Sequence, residues 1–114
     1  MHEDGPYILH ILDAVKNLQE ACEKTATKED FVKNEFVREY SARKIEIIGE
    51  ASKHLSKELK AQLKNIPWNK ISGMRDKLIH HYMGVDFNIV WDVIKSDIPE
   101  LEKGLKKYLE EKQL

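Results

Sequence analysis

The chain has 114 residues, enough for one domain with a single core, and we assign residues 1–114 to that domain. Its 19 basic and 20 acidic residues give a net charge of −1, which predicts no overall attraction to nucleic acid or to a membrane surface. The single cysteine excludes an intramolecular disulfide, and with no bilayer-length apolar run or signal-peptide pattern a cytoplasmic location is expected.

Apolar residues recur at helical spacing along almost the whole chain, and the alternation typical of strands is absent. The first helix is predicted to begin near Pro6, which suits a first helical turn, and to fade after Cys22. Residues 25–30 then provide a connection with capping side chains. A second, long helix is expected from about Phe31 to His54, and close packing against a neighbouring helix would explain Gly49 inside it.

The middle of the chain is predicted to contain two shorter helices. Ser56 can cap a helix that ends by residue 63, and Pro67 opens the next one. The pair Ser72-Gly73 is expected to loosen or break that second helix. A helical stretch then continues and ends near Gly84.

The C-terminal part is predicted to form two more helices. Asp86 can cap the first of them. Because a proline cannot continue a helix without a kink, Asp97 is expected to cap a separate terminal helix with Pro99 near its start. The predicted fold is therefore all-α, an up-and-down bundle of four to five main helices.

Residues 75–82, Arg-Asp-Lys-Leu-Ile-His-His-Tyr, combine side chains suited to phosphate chemistry. Arg75, His80 and Tyr82 form an R-x4-H-x-Y pattern. Arginine binds phosphate with a planar fork of donors, and histidine can exchange a proton near pH 7. Cleavage of an RNA phosphodiester needs this pair of functions. Three residues at loose spacing are weak support by themselves.

Helical periodicity limits what one copy of this segment can do. On a continuous helix Arg75 and Tyr82 share a face, whereas His80 lies about 140° from Arg75 at ~100° per residue. Two copies, antiparallel across a two-fold axis, would let each imidazole face a guanidinium. A break of the helix at Gly73 would change this geometry.

Several segments around the motif match a known family in order and spacing over nearly the whole chain. The sequence resembles the HepT-like branch of the HEPN superfamily. The matching segments are Ile47-Ile48-Gly49-Glu50-Ala51, Ile66-Pro67-Trp68, Met74-Arg75 through Val85-Asp86, and Asp97-Ile98-Pro99-Glu100-Leu101.

The resemblance implies a helical, homodimeric RNase that needs no metal or other cofactor. It implies the toxin of a toxin–antitoxin pair, whose partner is a minimal nucleotidyltransferase (MNT-type) antitoxin that transfers AMP to the motif tyrosine, here Tyr82. Arg75 and His80 match the catalytic pair, and Asp76 occupies a position where a polar residue is usual. His81 stands at a variable position and receives no role.

As chemistry, these roles predict cleavage by the 2′-hydroxyl of RNA itself. His80 would act as general base or acid, and Arg75 would stabilise charge on the phosphoryl oxygens. RNA is then the substrate, and DNA should resist because it lacks the 2′-hydroxyl.

Other interpretations of the same residues remain open. Arg75 could simply pair with Asp76 or Glu50, and Glu50 could either brace the motif or be a plain surface carboxylate. His80 and His81 could be a pair that favours a helix end. A metal site is not favoured, since no H-x3-H or CxxC spacing occurs.

Two other functions also fit the composition. The alternative to an RNase is a non-catalytic module of the same fold that docks a nucleotidyltransferase or binds nucleotide or RNA. A purely structural helical dimer is the third interpretation, and it leaves the cluster of Arg, His and Tyr unexplained.

Overall fold

The structure, a computed structural model, describes residues 3–112, and within that range it contains helices and turns but no strand, so the predicted all-α class is confirmed. None of these helices combines the length and apolar character that crossing a bilayer requires. The elements are α1 (Gly5–Cys22), α2 (Lys28–Lys33), α3 (Glu35–Lys53), α4 (Lys57–Gln62), α5 (Trp68–His80), a 3₁₀ turn (Tyr82–Gly84), α6 (Phe87–Asp92), a π-helical segment (Val93–Asp97) and α7 (Ile98–Lys112).

Local capping chemistry places most helix starts where the sequence predicts them. Pro6 lies in the first turn of α1. The Ser56 hydroxyl accepts a hydrogen bond from the Leu59 amide at 3.1 Å and begins α4. Asp86 Oδ1 accepts from the Asn88 amide at 2.9 Å and begins α6. Such bonds satisfy amides that have no partner inside the helix.

The predicted long helix from about Phe31 to His54 is wrong in its first part. Asn34 adopts an extended conformation, φ −87° and ψ 95°, and separates α2 from α3. Its Oδ1 accepts a hydrogen bond from the Val37 amide at 3.0 Å, so its side chain caps α3. An asparagine side chain competes with the helix for backbone amides, and here it divides the helix.

The predicted break at Ser72-Gly73 does not occur, since α5 is continuous from Trp68 to His80. Its apolar side gains enough from burial to outweigh the weak helix preference of one glycine, about 1 kcal/mol. The helix ends earlier than near Gly84 because His81 leaves helical geometry with φ −138°. The buried residues of α5 are Ile71, Met74 and Leu78.

The prediction of a separate terminal helix is also wrong. The helix that begins at Phe87 passes through the π-helical segment Val93–Asp97 directly into α7. Pro99 cannot donate a backbone hydrogen bond and its ring crowds the carbonyl four residues earlier, and the wider π turn gives it room. Asp97 is buried inside this helix rather than capping it, and its carboxylate Oδ2 lies 3.3 Å from Lys70 Nζ.

Helix α3 lies at the centre of the fold, packed between α1 and α5. At the crossing with α5, a Cβ on residue 49 would collide with the Cβ of Arg75 and lie 2.8 Å from its Cγ. Gly49 therefore permits this close approach, which confirms the explanation predicted for it. The crossing fixes the base of the Arg75 side chain.

Candidate functional site

The guanidinium of Arg75 is held by two carboxylates. Its Nη2 donates to Glu50 Oε2 at 2.8 Å, and its Nη1 donates to Asp76 Oδ1 at 2.9 Å. Only 19% of the side chain is exposed, and its Nε has no hydrogen-bond partner within residues 3–112. Both pairings that the sequence left open are present, and Glu50 contacts Arg75 across the crossing of α3 and α5.

A lysine extends this network. Asp76 Oδ1 also accepts from Lys53 Nζ at 3.3 Å, so two cations share one carboxylate. The hydrogen bond from Arg75, followed by that from Lys53, holds the pKa of Asp76 below its usual range. Asp76 is therefore ionised at neutral pH and contributes a fixed negative charge beside the guanidinium.

A cleft of about 360 Å³ lies between α1, α3 and α5, with Arg75 in its wall. The rings of Tyr7 and His54 are stacked at this cleft, with centroids 5.0 Å apart and planes 11° apart. His54 Nε2 lies 3.7 Å from Glu50 Oε1, so a protonated imidazole can pair with the carboxylate that holds Arg75. Sequence reasoning assigned no role to His54 or His10, which also lines the cleft, because only the tertiary fold brings them to Arg75.

His80 is the last residue of α5 and is exposed. Its imidazole makes no hydrogen bond or ion pair to any side chain in the described part of the protein. Because α5 is continuous, His80 lies about 140° from Arg75 around the helix axis at ~100° per residue. One protomer therefore brings Asp76 to Arg75 but leaves His80 outside the cleft.

Tyr82 lies in the 3₁₀ turn, half-buried, with its ring edge-on to Phe87 at 5.9 Å. Burial and the nearby Glu39 carboxylate raise the pKa of this phenol, against the opposing charge of Arg38. A face shared with Arg75 was expected only for a continuous helix, and this condition is not met because α5 ends at His80, before Tyr82.

Arg75 and Tyr82 lie beside different parts of α3. Arg75 contacts Glu50, whereas Tyr82 lies near Glu39, and these α3 positions are about 16 Å apart at ~1.5 Å per residue.

Over residues 3–112, no group of three or more His, Cys, Asp or Glu side chains is arranged to hold a metal ion. His81 lines a separate cleft of about 210 Å³ together with Met74 and Lys77, on another side of α5.

Comparison with known proteins identifies the class to which this fold and site belong. The sequence profile of the HepT-like family, described as "Ribonuclease HepT-like", matches residues 11–108. A protein of Caldanaerobacter subterraneus subsp. tengcongensis, "Putative RNase TTE0752", is 45% identical over 113 residues, 99% of this chain and 100% of that protein. A protein of Thermococcus cleftensis, "Probable ribonuclease HepT", is 38% identical over 106 residues, 93% of this chain and 94% of that protein. No solved structure matches.

The chain therefore belongs to the HepT-like ribonuclease family of the HEPN superfamily.

Proposed function

We propose that this protein is an endoribonuclease toxin that cleaves RNA without a metal ion, using Arg75 and His80. The observation that carries the proposal is the position of the Arg75 guanidinium, which is braced by Glu50 and Asp76 in the wall of a cleft. A guanidinium fixed in this way is prepared to bind a phosphate with two parallel hydrogen bonds. The family membership supports the same activity.

In the proposed reaction the 2′-oxygen of a ribose attacks the adjacent phosphorus. The bond between that phosphorus and the 5′-oxygen of the next nucleotide breaks. His80 takes the proton of the 2′-hydroxyl or gives a proton to the leaving oxygen, a role that typically contributes 10²–10⁴-fold. Arg75 stabilises the charge that builds on the phosphoryl oxygens. The products carry a 2′,3′-cyclic phosphate and a 5′-hydroxyl.

The proposed active site needs two copies of the chain. His80 and Arg75 point in directions about 140° apart on α5, so one helix does not aim both at one phosphate. In a homodimer with antiparallel copies of α5, His80 of one chain can face Arg75 of the other. The exposure of His80 leaves its imidazole accessible to such a partner.

Regulation is proposed to act on Tyr82. A minimal nucleotidyltransferase antitoxin would join the phenol oxygen to the α-phosphorus of a nucleoside triphosphate, releasing pyrophosphate and the phenolic proton. The raised pKa of Tyr82 keeps the phenol neutral at physiological pH, so the transferase must supply a base. The attached AMP would place a bulky anion two residues from His80 and repel RNA.

One experiment tests the proposed activity directly. Purified protein is incubated with RNA in EDTA beside His80→Ala, after intact mass has shown that neither preparation carries AMP. We expect the parent alone to cleave RNA, to leave cyclic or 3′-phosphate ends, and to spare DNA. Equal cleavage of DNA, or full dependence on added metal, would contradict the mechanism.

The alternative, a non-catalytic module that docks a nucleotidyltransferase or binds nucleotide or RNA, is favoured by one observation. Two of the five N–H groups of the Arg75 guanidinium are already engaged by carboxylates, whose negative charges oppose the approach of a phosphate. Absence of cleavage by unmodified, dimeric protein on several RNAs, together with salt-sensitive RNA binding, would favour this alternative.

A further inference from the structure

The cleft beside Arg75 has an aromatic wall that the proposed reaction does not use. Tyr7 from α1 and His54 from the end of α3 stack with nearly parallel rings, and both line the cleft. The His54 side chain is 52% exposed. Stacked flat rings beside a cation are a surface on which an unpaired base can stack.

The same cleft carries two cations suited to phosphate. Arg75 forms one part of the wall and Arg43 another. Arg43 is 69% exposed, and its only ion pair within residues 3–112 is a 3.4 Å contact with Glu46 on its own helix. An exposed pair of this length is easily exchanged for a phosphate. Arg43 is thus available to a second phosphate near the one bound at Arg75.

Apolar side chains also line the cleft, beside the carboxylates of Glu46 and Glu50 that pair with the two arginines. Ile47 and Ile79 line it, and Ile79 is 43% exposed although it belongs to a helix that packs against the core. The volume of about 360 Å³ lies within the range of small-ligand sites. Aromatic, apolar and cationic surfaces in one cleft match the base, ribose and phosphate of a nucleotide.

We propose that this cleft is a nucleotide subsite for single-stranded RNA, adjoining the phosphate that is cleaved. The base of one unpaired nucleotide stacks on the Tyr7–His54 pair, and its phosphates bind at Arg75 and Arg43. The proposal rests on the proposed ribonuclease function, because it places the nucleotide next to the scissile bond. Duplex RNA should bind less well, since its bases are not free to stack.

Binding is measured with a short single-stranded RNA in which every 2′-hydroxyl is methylated, so that cleavage does not interfere. Fluorescence anisotropy at several salt concentrations gives Kd for the parent and for His54→Ala, His54→Phe and Arg43→Ala. His81→Ala is the matched control, because His81 is also an exposed histidine near α5 but lies outside this cleft. Circular dichroism confirms that each variant is folded.

We expect His54→Ala to weaken binding about 5- to 100-fold, and His54→Phe to retain most of the affinity. Arg43→Ala should weaken binding and reduce the salt dependence by roughly the share of one phosphate contact. His81→Ala should bind as the parent does. In NMR spectra, the imidazole protons of His54 should shift upfield when the oligonucleotide is added, because a stacked base shields them.

The outcomes separate this proposal from the proposed function. RNA cleavage by the parent, with Kd and KM unchanged in folded His54→Ala and Arg43→Ala, would overturn the subsite and leave the ribonuclease intact. Binding that depends on His54 and Arg43 without cleavage by the parent would support the subsite and reject the ribonuclease. A changed oligomeric state of His54→Ala with unchanged Kd would overturn the subsite and assign the cleft to a protein interface.

Discussion

The two ends of the motif have contrasting surroundings. Arg75 lies at the crossing of α3 and α5, mostly buried, with its stem against Gly49 and its guanidinium held by two carboxylates. His80 lies at the exposed end of α5, just before the backbone leaves helical geometry. One protomer therefore holds the Arg75 guanidinium in place and leaves the His80 imidazole exposed. Under the proposed mechanism, each chain would contribute half of an active site.

The largest expected effect tests whether a second chain completes the site. Arg75→Ala and His80→Ala should each lower RNA cleavage by about 10²–10⁴-fold, since each removes one group of the proposed catalytic pair. Unfolding and refolding the two variants together should produce mixed dimers in which one site keeps both residues. Cleavage should then recover to roughly a quarter of the parental rate if chains pair at random.

The control for complementation is each variant refolded alone, which should remain inactive. A mixture that stays as inactive as its components, although mass spectrometry detects mixed dimers, would show that Arg75 and His80 of the same chain act together. That result would remove the distinction between the two ends of the motif.

The next largest effect concerns Arg75, the mostly buried end of the motif. Gly49→Ala should lower the free energy of unfolding by about 1–3 kcal/mol, because the new Cβ would overlap the stem of Arg75 at a helix crossing. It should also reduce RNA cleavage by displacing the guanidinium. Urea denaturation of the parent and the variant measures the difference in stability.

Gly73→Ala is the matched control, since Gly73 lies inside α5 and a Cβ there meets nothing within 4 Å. This substitution should raise stability by about 0.5–1 kcal/mol through helix preference alone. Equal effects at the two glycines would mean that the crossing does not depend on close contact at residue 49.

Local chemistry explains which parts of the fold could be predicted from the sequence. The starts of α1, α4 and α6 follow from Pro6, Ser56 and Asp86, whose capping roles depend on neighbouring residues only. The division of the second helix at Asn34 does not follow from the sequence alone, because asparagine occurs both inside helices and as a helix cap.

The errors at Gly73 and Pro99 have a common cause, since each prediction gave a local helix breaker too much weight. Gly73 stays helical because burial of the apolar side of α5 dominates. Pro99 stays within a helix because a π turn precedes it. The end of α5 is the opposite error, since the helix was expected to continue to near Gly84 but ends at His80.

The site was predictable only in part, for a related reason. Arg75, His80 and Tyr82 are close in sequence, so their spacing could be recognised. The partners of Arg75 and the aromatic wall of its cleft come from α1 and α3, which no spacing rule connects to α5. The sequence therefore indicates which side chains the motif contains, whereas the residues that surround them are known only from the fold.

The smallest expected effect concerns Asp76, the carboxylate that pairs with both Arg75 and Lys53. Its folded pKa is below its usual value of 3.8, because Arg75 and Lys53 favour the charged form. A carboxylate with a lowered folded pKa contributes stability above its unfolded pKa, and this contribution disappears as the pH falls through the folded pKa. Asp76→Asn should therefore be slightly less stable than the parent at pH 7, and the difference should vanish at strongly acidic pH. Urea denaturation at several pH values measures it.

Asp13→Asn serves as the control, because Asp13 is an exposed aspartate on α1 that forms no ion pair within residues 3–112. It should lack the pH-dependent difference seen for Asp76→Asn. A parent–variant difference at Asp76 that stays constant from pH 7 to acid would mean that the side chain acts by shape rather than by charge. Arg75 would then be positioned by Glu50 and Gly49 alone, and α3 rather than the motif itself would determine where the guanidinium lies.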